Sequence, residues 1–239
     1  MRRLLLIIVV TTVAWAGTAS AAGGAAVVTK LTPNRISAAS TASVSITGLS
    51  AAGLPSSVEL LLQRGFSTSA KSVSVLCKAG QASSSTCPSA SQIGTAAAGV
   101  SLFGTPLAVP LKLFLSEPSK AGDIASVILS GSEDGISLNV SGRLFVPRRR
   151  GLELLFAAFP SAPVTLDSLA FYVHATRTTT SKGKREHGHR KTVKTQHSLI
   201  TNPSSCTGSW TGTVTLSYSS GSESLPFSAP CKKPSGRRR

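Results

Sequence analysis

Residues 136–146 read ISLNVSGRLFV. Ile136, Leu138, Val140, Gly142, Leu144 and Val146 share one side of an extended chain, with small polar groups on the other. That period of two is the mark of a half-buried antiparallel strand. Ser132-Glu133-Asp134-Gly135, just upstream, reads as a hairpin turn from a strand near Ile124–Leu129. Just downstream, Pro147-Arg148-Arg149-Arg150-Gly151 reads as the next hairpin, leading into Leu152–Phe159. Pro160 and Pro163 end that strand, because proline has no amide to give a ladder.

The same alternation recurs to either side. Ala42, Val44 and Ile46 alternate with Ser43, Ser45 and Thr47, and Val58, Leu60 and Leu62 follow. Leu107, Val109, Leu111, Leu113 and Leu115 share one face of a long strand. Trp210, Gly212, Val214, Leu216 and Tyr218 alternate with hydroxyl residues. No segment holds a helical period for ten residues. Many short strands with regular turns predict an all-β fold, an antiparallel two-sheet sandwich of immunoglobulin-like or jelly-roll-like kind, without substantial helix in the mature chain. The sandwich region runs over 22–231, either as one unit or as two lobes, 26–76 and 88–231.

The N-terminus carries an export pattern. Arg2 and Arg3 precede an apolar run, Leu4 to Ala16, and Ala19-Ser20-Ala21 supplies small residues for cleavage between Ala21 and Ala22. Residues 1–21 are therefore expected to be a cleavable signal peptide, and the mature protein secreted or held at the cell surface. No later stretch reads as a membrane span. Four cysteines in an exported chain imply disulfides. Cys77 with Cys87 and Cys206 with Cys231 each close a short loop rich in Ser, Gly or Pro; a bridge between the two halves is the alternative.

The chain has 25 Lys+Arg against 9 Asp+Glu, and loss of Arg2 and Arg3 takes the formal charge from +16 to +14. Such a balance draws polyanions. The charge is concentrated. Residues 176–196 read TRTTTSKGKREHGHRKTVKTQ, with Arg177, Lys182, Lys184, Arg185, Arg190, Lys191 and Lys194 against Glu186 alone. Having almost nothing to bury, this stretch is expected to be a disordered, solvated excursion. The tail 232–239 is expected to behave likewise. Together with Arg148, Arg149 and Arg150, these cations are the candidate contacts to anionic wall polymer or lipid head groups.

From Cys77 to Cys231 the chain resembles a family of uncharacterised exported proteins of high-GC Gram-positive bacteria. The resemblance rests on Cys87-Pro88-Ser89-Ala90-Ser91-Gln92-Ile93-Gly94, on Leu115-Ser116-Glu117-Pro118, on Phe156-Ala157-Ala158-Phe159-Pro160-Ser161-Ala162-Pro163, on Asn202-Pro203 and on Trp210-Thr211-Gly212. It implies a β-rich surface module and no activity.

Catalytic chemistry has little to stand on. His174, His187, His189 and His197 lie in or beside the basic segment, where a base lacks a fixed geometry. His187-Gly188-His189 could chelate a metal, but neighbouring cations oppose it. No zinc-like cysteine spacing occurs, and the basic segment has neither stacking aromatics nor a helix for nucleic acid. Asn139-Val140-Ser141 matches a glycosylation acceptor inside an alternating strand and is taken as chance. The expected role is a non-enzymatic structural or adhesive module, with no cofactor, no metal and no specific nucleic acid. The first alternative is a carbohydrate- or other ligand-binding accessory domain using Trp210, Tyr172 or Tyr218; the second is an uncharacterised hydrolase.

Overall fold

The alternating stretches become strands in the order the sequence suggests. In the computed structural model, residues 18–20, 24–147, 150–157, 159, 164–186 and 189–233 are described, with side chains for all of these except 18–20, 51–52, 164 and 182–191. Among the described residues there are fourteen strands: β1 Thr18–Ser20, β2 Ala26–Thr32, β3 Thr41–Thr47, β4 Ser57–Leu62, β5 Gln92–Leu102, β6 Thr105–Ser116, β7 Ala125–Glu133, β8 Ile136–Phe145, β9 Glu153–Ala157, β10 Val164–Val173, β11 Thr176–Glu186, β12 His189–Ser198, β13 Ser209–Tyr218 and β14 Gly221–Pro230. The helices are short: α1, Ala79–Ser83, and three single turns of 3₁₀ helix.

Twelve of the strands make one antiparallel sheet in the order β1-β2-β3-β10-β5-β6-β7-β8-β9-β4-β13-β14. The hydrogen-bonded order is unbroken, where two separate sheets were expected. The sheet curls until β14 lies against β2, so that it is nearly closed into a barrel. One end of that seam is tied where the Lys232 amide donates to the Asn34 carbonyl at 2.8 Å. The strands before Cys77 are not a lobe of their own: β3 pairs with β10, and β4 lies between β9 and β13.

Local chemistry explains the turns. Asp134 and Gly135 both have positive φ, 47° and 79°, which is what a two-residue hairpin between twisted strands requires. Phe103 and Gly104 repeat this between β5 and β6 (φ 50° and 83°). The inward residues of the long strands of this twelve-stranded sheet join one core that includes Ile46, Leu113, Leu129, Phe156, Leu169, Trp210 and Leu225. Gly142 is needed in that packing, because a Cβ there would meet the Phe156 ring at 2.5 Å. The interior voids are small, about 20 and 50 Å³, and lined by aliphatic side chains.

Both cysteine pairs of the shorter pairing are disulfides, Cys77–Cys87 and Cys206–Cys231. The first ties α1 across the outer face of the sheet, where Cys77, Ala82, Phe114 and Ile128 form a small second core. The Asn139 side-chain amide holds this loop down, donating to the Ala82 carbonyl at 3.0 Å. Asn139 is therefore a structural residue of the strand.

Candidate functional site: a basic two-stranded ribbon

The basic segment is not a structureless excursion. β11 and β12 pair along nine registered positions, from Thr176 opposite Ser198 to Glu186 opposite His189, as a sheet of their own. The reason lies in the residues between the charges. Thr176, Thr178, Thr179, Thr180, Thr192, Val193 and Thr195 are β-branched and favour an extended backbone without a core to drive it. Thr179 stands directly opposite Thr195, a favourable cross-strand pair.

The ribbon is fixed at its base. The Arg177 guanidinium donates to the Val73 carbonyl at 3.1 Å, and the Leu199 amide donates to the Ala175 carbonyl at 3.0 Å. The Thr179 hydroxyl and His197 Nε2 are 3.0 Å apart. The 3₁₀ turn Ala70–Ser72 packs against both strands and adds Lys71 beside the ribbon's foot, a residue that the sequence reading missed because no periodicity marks a single turn.

Register decides where the cations fall. Lys182 is opposite Thr192, Arg185 opposite Arg190 and Thr180 opposite Lys194, so Lys182, Arg185, Arg190 and Lys194 share one face of the ribbon. Lys184 and Lys191 belong to the same strands near the register shift between Lys182 and Arg185. Arg185 and Arg190 are registered partners near the far end of the ladder. Arg177 and Lys194 are exposed.

The other expected contacts are dispersed. Arg150 is exposed in the turn after β8, its amide bonded to the Pro147 carbonyl at 3.2 Å, and lines a shallow cleft with Gly151, Pro226 and Phe227. Arg148, Arg149, Ala21, Ala22 and the tail from 234 lie outside the described residues, as do His187 and Gly188. No group of three metal-ligating side chains occurs among the described residues.

Apart from Glu186, the acids lie outside the ribbon's two strands. Asp123 accepts two bonds from Arg143, at 2.6 and 2.9 Å, and that guanidinium holds its carboxyl below the usual carboxylate range. Glu153 is buried in β9, and that burial, with Glu59 nearby, raises its pKa. Asp167 accepts a bond from Ser101. Of the aromatics weighed for a sugar platform, Trp210 is 1 % exposed, its indole N–H bonded to the Ser205 carbonyl and its ring edge-on to Phe66. Tyr218 is buried with its hydroxyl toward the Leu49 carbonyl. Tyr172 is 46 % exposed and stacks on His174 with ring centres 5.3 Å apart. Comparison of the chain with known family models, with curated proteins and with solved structures finds no match.

Proposed function

We propose that this chain is an exported, non-enzymatic surface module that adheres to anionic wall polymer or lipid head groups through its basic ribbon. One observation carries the reading: seven cations and a single acid occupy a paired ribbon outside the main sheet, with Arg185 opposite Arg190. Each basic residue close to an anionic surface contributes about 1 kcal/mol within a Debye length of roughly 10 Å. A paired ribbon presents such charges together, with less ordering cost than a loose chain. The two disulfides support an oxidising compartment. No helix among the described residues is long and apolar enough to cross a membrane. Cleavage after Ala21 and kinship with exported proteins of high-GC Gram-positive bacteria belong to the same proposal.

We also read the curled sheet as flattened in cross-section toward a sandwich. A round barrel of this many strands would keep an open lumen. Voids of only about 20 and 50 Å³ support opposite walls in contact.

The test is retention of the mature protein on purified anionic wall polymer across a salt gradient, beside a variant lacking Thr178–Thr195. Arg177 and His197 face each other across the ladder, so this deletion joins adjacent ends. Retention that falls steeply with salt and is largely lost in the variant is expected. Equal, salt-insensitive retention by both proteins would overturn the reading.

A further inference from the structure

A cleft of about 630 Å³ lies on the sheet beside the Cys77–Cys87 loop, floored by Thr95 and Ala96 of β5, Pro110 and Lys112 of β6, Ser130 and Ser132 of β7 and Ser137 of β8. The registered β6–β7 ladder runs from Ser116 opposite Ser126 to Lys112 opposite Ser130, and the two strands stay close beyond it, with Gly131 against Pro110 and Leu111. The Cys77–Cys87 loop forms one wall through Ser85 and Cys87.

Three features indicate what this cleft takes. First, Pro106 and Pro110 lie on β6 beyond its last registered pair with β7. Neither has an amide to give, so this stretch of backbone is a poor template for another strand. The occupant is held by side chains. Second, those side chains are hydroxyls. Thr95, Ser132 and Ser137 are exposed in the cleft, Ser130 lies deeper at 9 % exposure, and none of the four hydroxyls bonds to another group of the protein. Such hydroxyls can exchange water for the polar groups of a ligand. Third, the one charge in the lining is Lys112, which is exposed and has no carboxylate partner among the described residues, and no acid lines the cleft.

We propose that this cleft binds an acidic sugar of a glycan chain. A uronate residue offers a carboxylate to Lys112 and ring hydroxyls that both donate and accept, matching serine and threonine. Its C–H face suits Pro110, Ala96 and the disulfide wall. The row continues outward: Ser130, Lys112, Thr95 and Tyr172 are successive cross-strand partners on β7, β6, β5 and β10. At about 4.8 Å per strand this row spans roughly 14 Å, the reach of a short oligosaccharide, and it ends on the exposed Tyr172–His174 stack, a platform for a further ring. The site owes nothing to the ribbon.

The experiment uses protein lacking Thr178–Thr195, so that the ribbon cannot contribute. Calorimetric titration with oligogalacturonate, a malto-oligosaccharide and a short DNA duplex is run on this protein and on its Lys112→Gln and Ser132→Trp variants. Both altered side chains are exposed, and amide exchange of β6 and β7 verifies the fold. Saturable oligogalacturonate binding is expected, at least tenfold weaker with Lys112→Gln, lost with Ser132→Trp, and stronger than binding of the neutral oligomer or DNA. No binding by the ribbon-less protein, equal binding by the variants, or equal or better binding of either comparison ligand would overturn the proposal. The wall-polymer reading is judged separately, by comparison with the full-length ribbon.

Discussion

Two carboxyls, Asp123 just before β7 and Glu153 in β9, respond to pH in opposite directions. Asp123 is held below its ordinary value of 3.8 by Arg143, so its contribution to stability is present above that pH and fades as pH falls through the lowered value. Asp123→Asn is expected to cost about 1 kcal/mol at neutral pH, given that Arg143 is partly exposed, with the difference from wild type shrinking in acid. Glu153 is the reverse. Burial, assisted by Glu59, raises it above 4.5, so the folded state favours the protonated form and loses stability as pH rises through the raised value. Glu153→Gln is expected to melt higher than wild type at pH 7, with the gap closing toward pH 4; thermal melts at a series of pH values read both effects. Packing offers a third test at this scale. Trp210→Ala empties the largest buried side chain of the core and is expected to cost about 3–5 kcal/mol in denaturant unfolding.

At the scale of elements, the two disulfides differ in how much chain they close, with separations of 10 and 25 residues. Chain entropy gives about 2.7 and about 3.5 kcal/mol for them. Paired Cys→Ser exchange is therefore expected to lower stability more at 206/231 than at 77/87, read by urea midpoints. The ribbon contributes little to the whole, since an isolated two-stranded hairpin is marginal in water. Its deletion is expected to shift Tm by no more than a few degrees, and its amides should exchange faster than those of β13. Elements also show what the sequence reveals. Strands β6, β8 and β13 were legible because large apolar residues recur at alternate positions along them. β5 was not, because its stretch Thr95–Gly99 is almost all alanine and glycine and carries no hydropathy contrast. The ribbon was misread because apolar periodicity was the sign sought, while its threonines, favouring an extended backbone without a core, were passed over. The cleft by Lys112 was out of reach: its lining comes from β5, β6, β7, β8 and the Cys77–Cys87 loop, which only the tertiary fold brings together.

Across the whole molecule, the class all-β was legible and the strand order was not. Hairpins such as β7–β8 follow from adjacent turns, but β4 reaches its place between β9 and β13 only through contacts over 90 residues and more away. The turn residues hold no record of that. Loss of β14 by ending the chain after Ser220 is expected to leave β13 an open edge, expose Phe227's place over Gly212 and remove the Cys206 partner. Such a chain is expected to bind a hydrophobic dye and to resist cooperative thermal melting.

The seam between β2 and β14 also sets a timetable. The second strand made by the ribosome finds its neighbour across the gap only when the last strand has been made, and β4 waits for β9 and β13. No nascent portion shorter than nearly the whole chain has a complete sheet to settle into, since distant pairings must all be in hand before closure is rewarded. A chain of this topology stays open until its last strands are available, and closure of its sheet is a late event in folding.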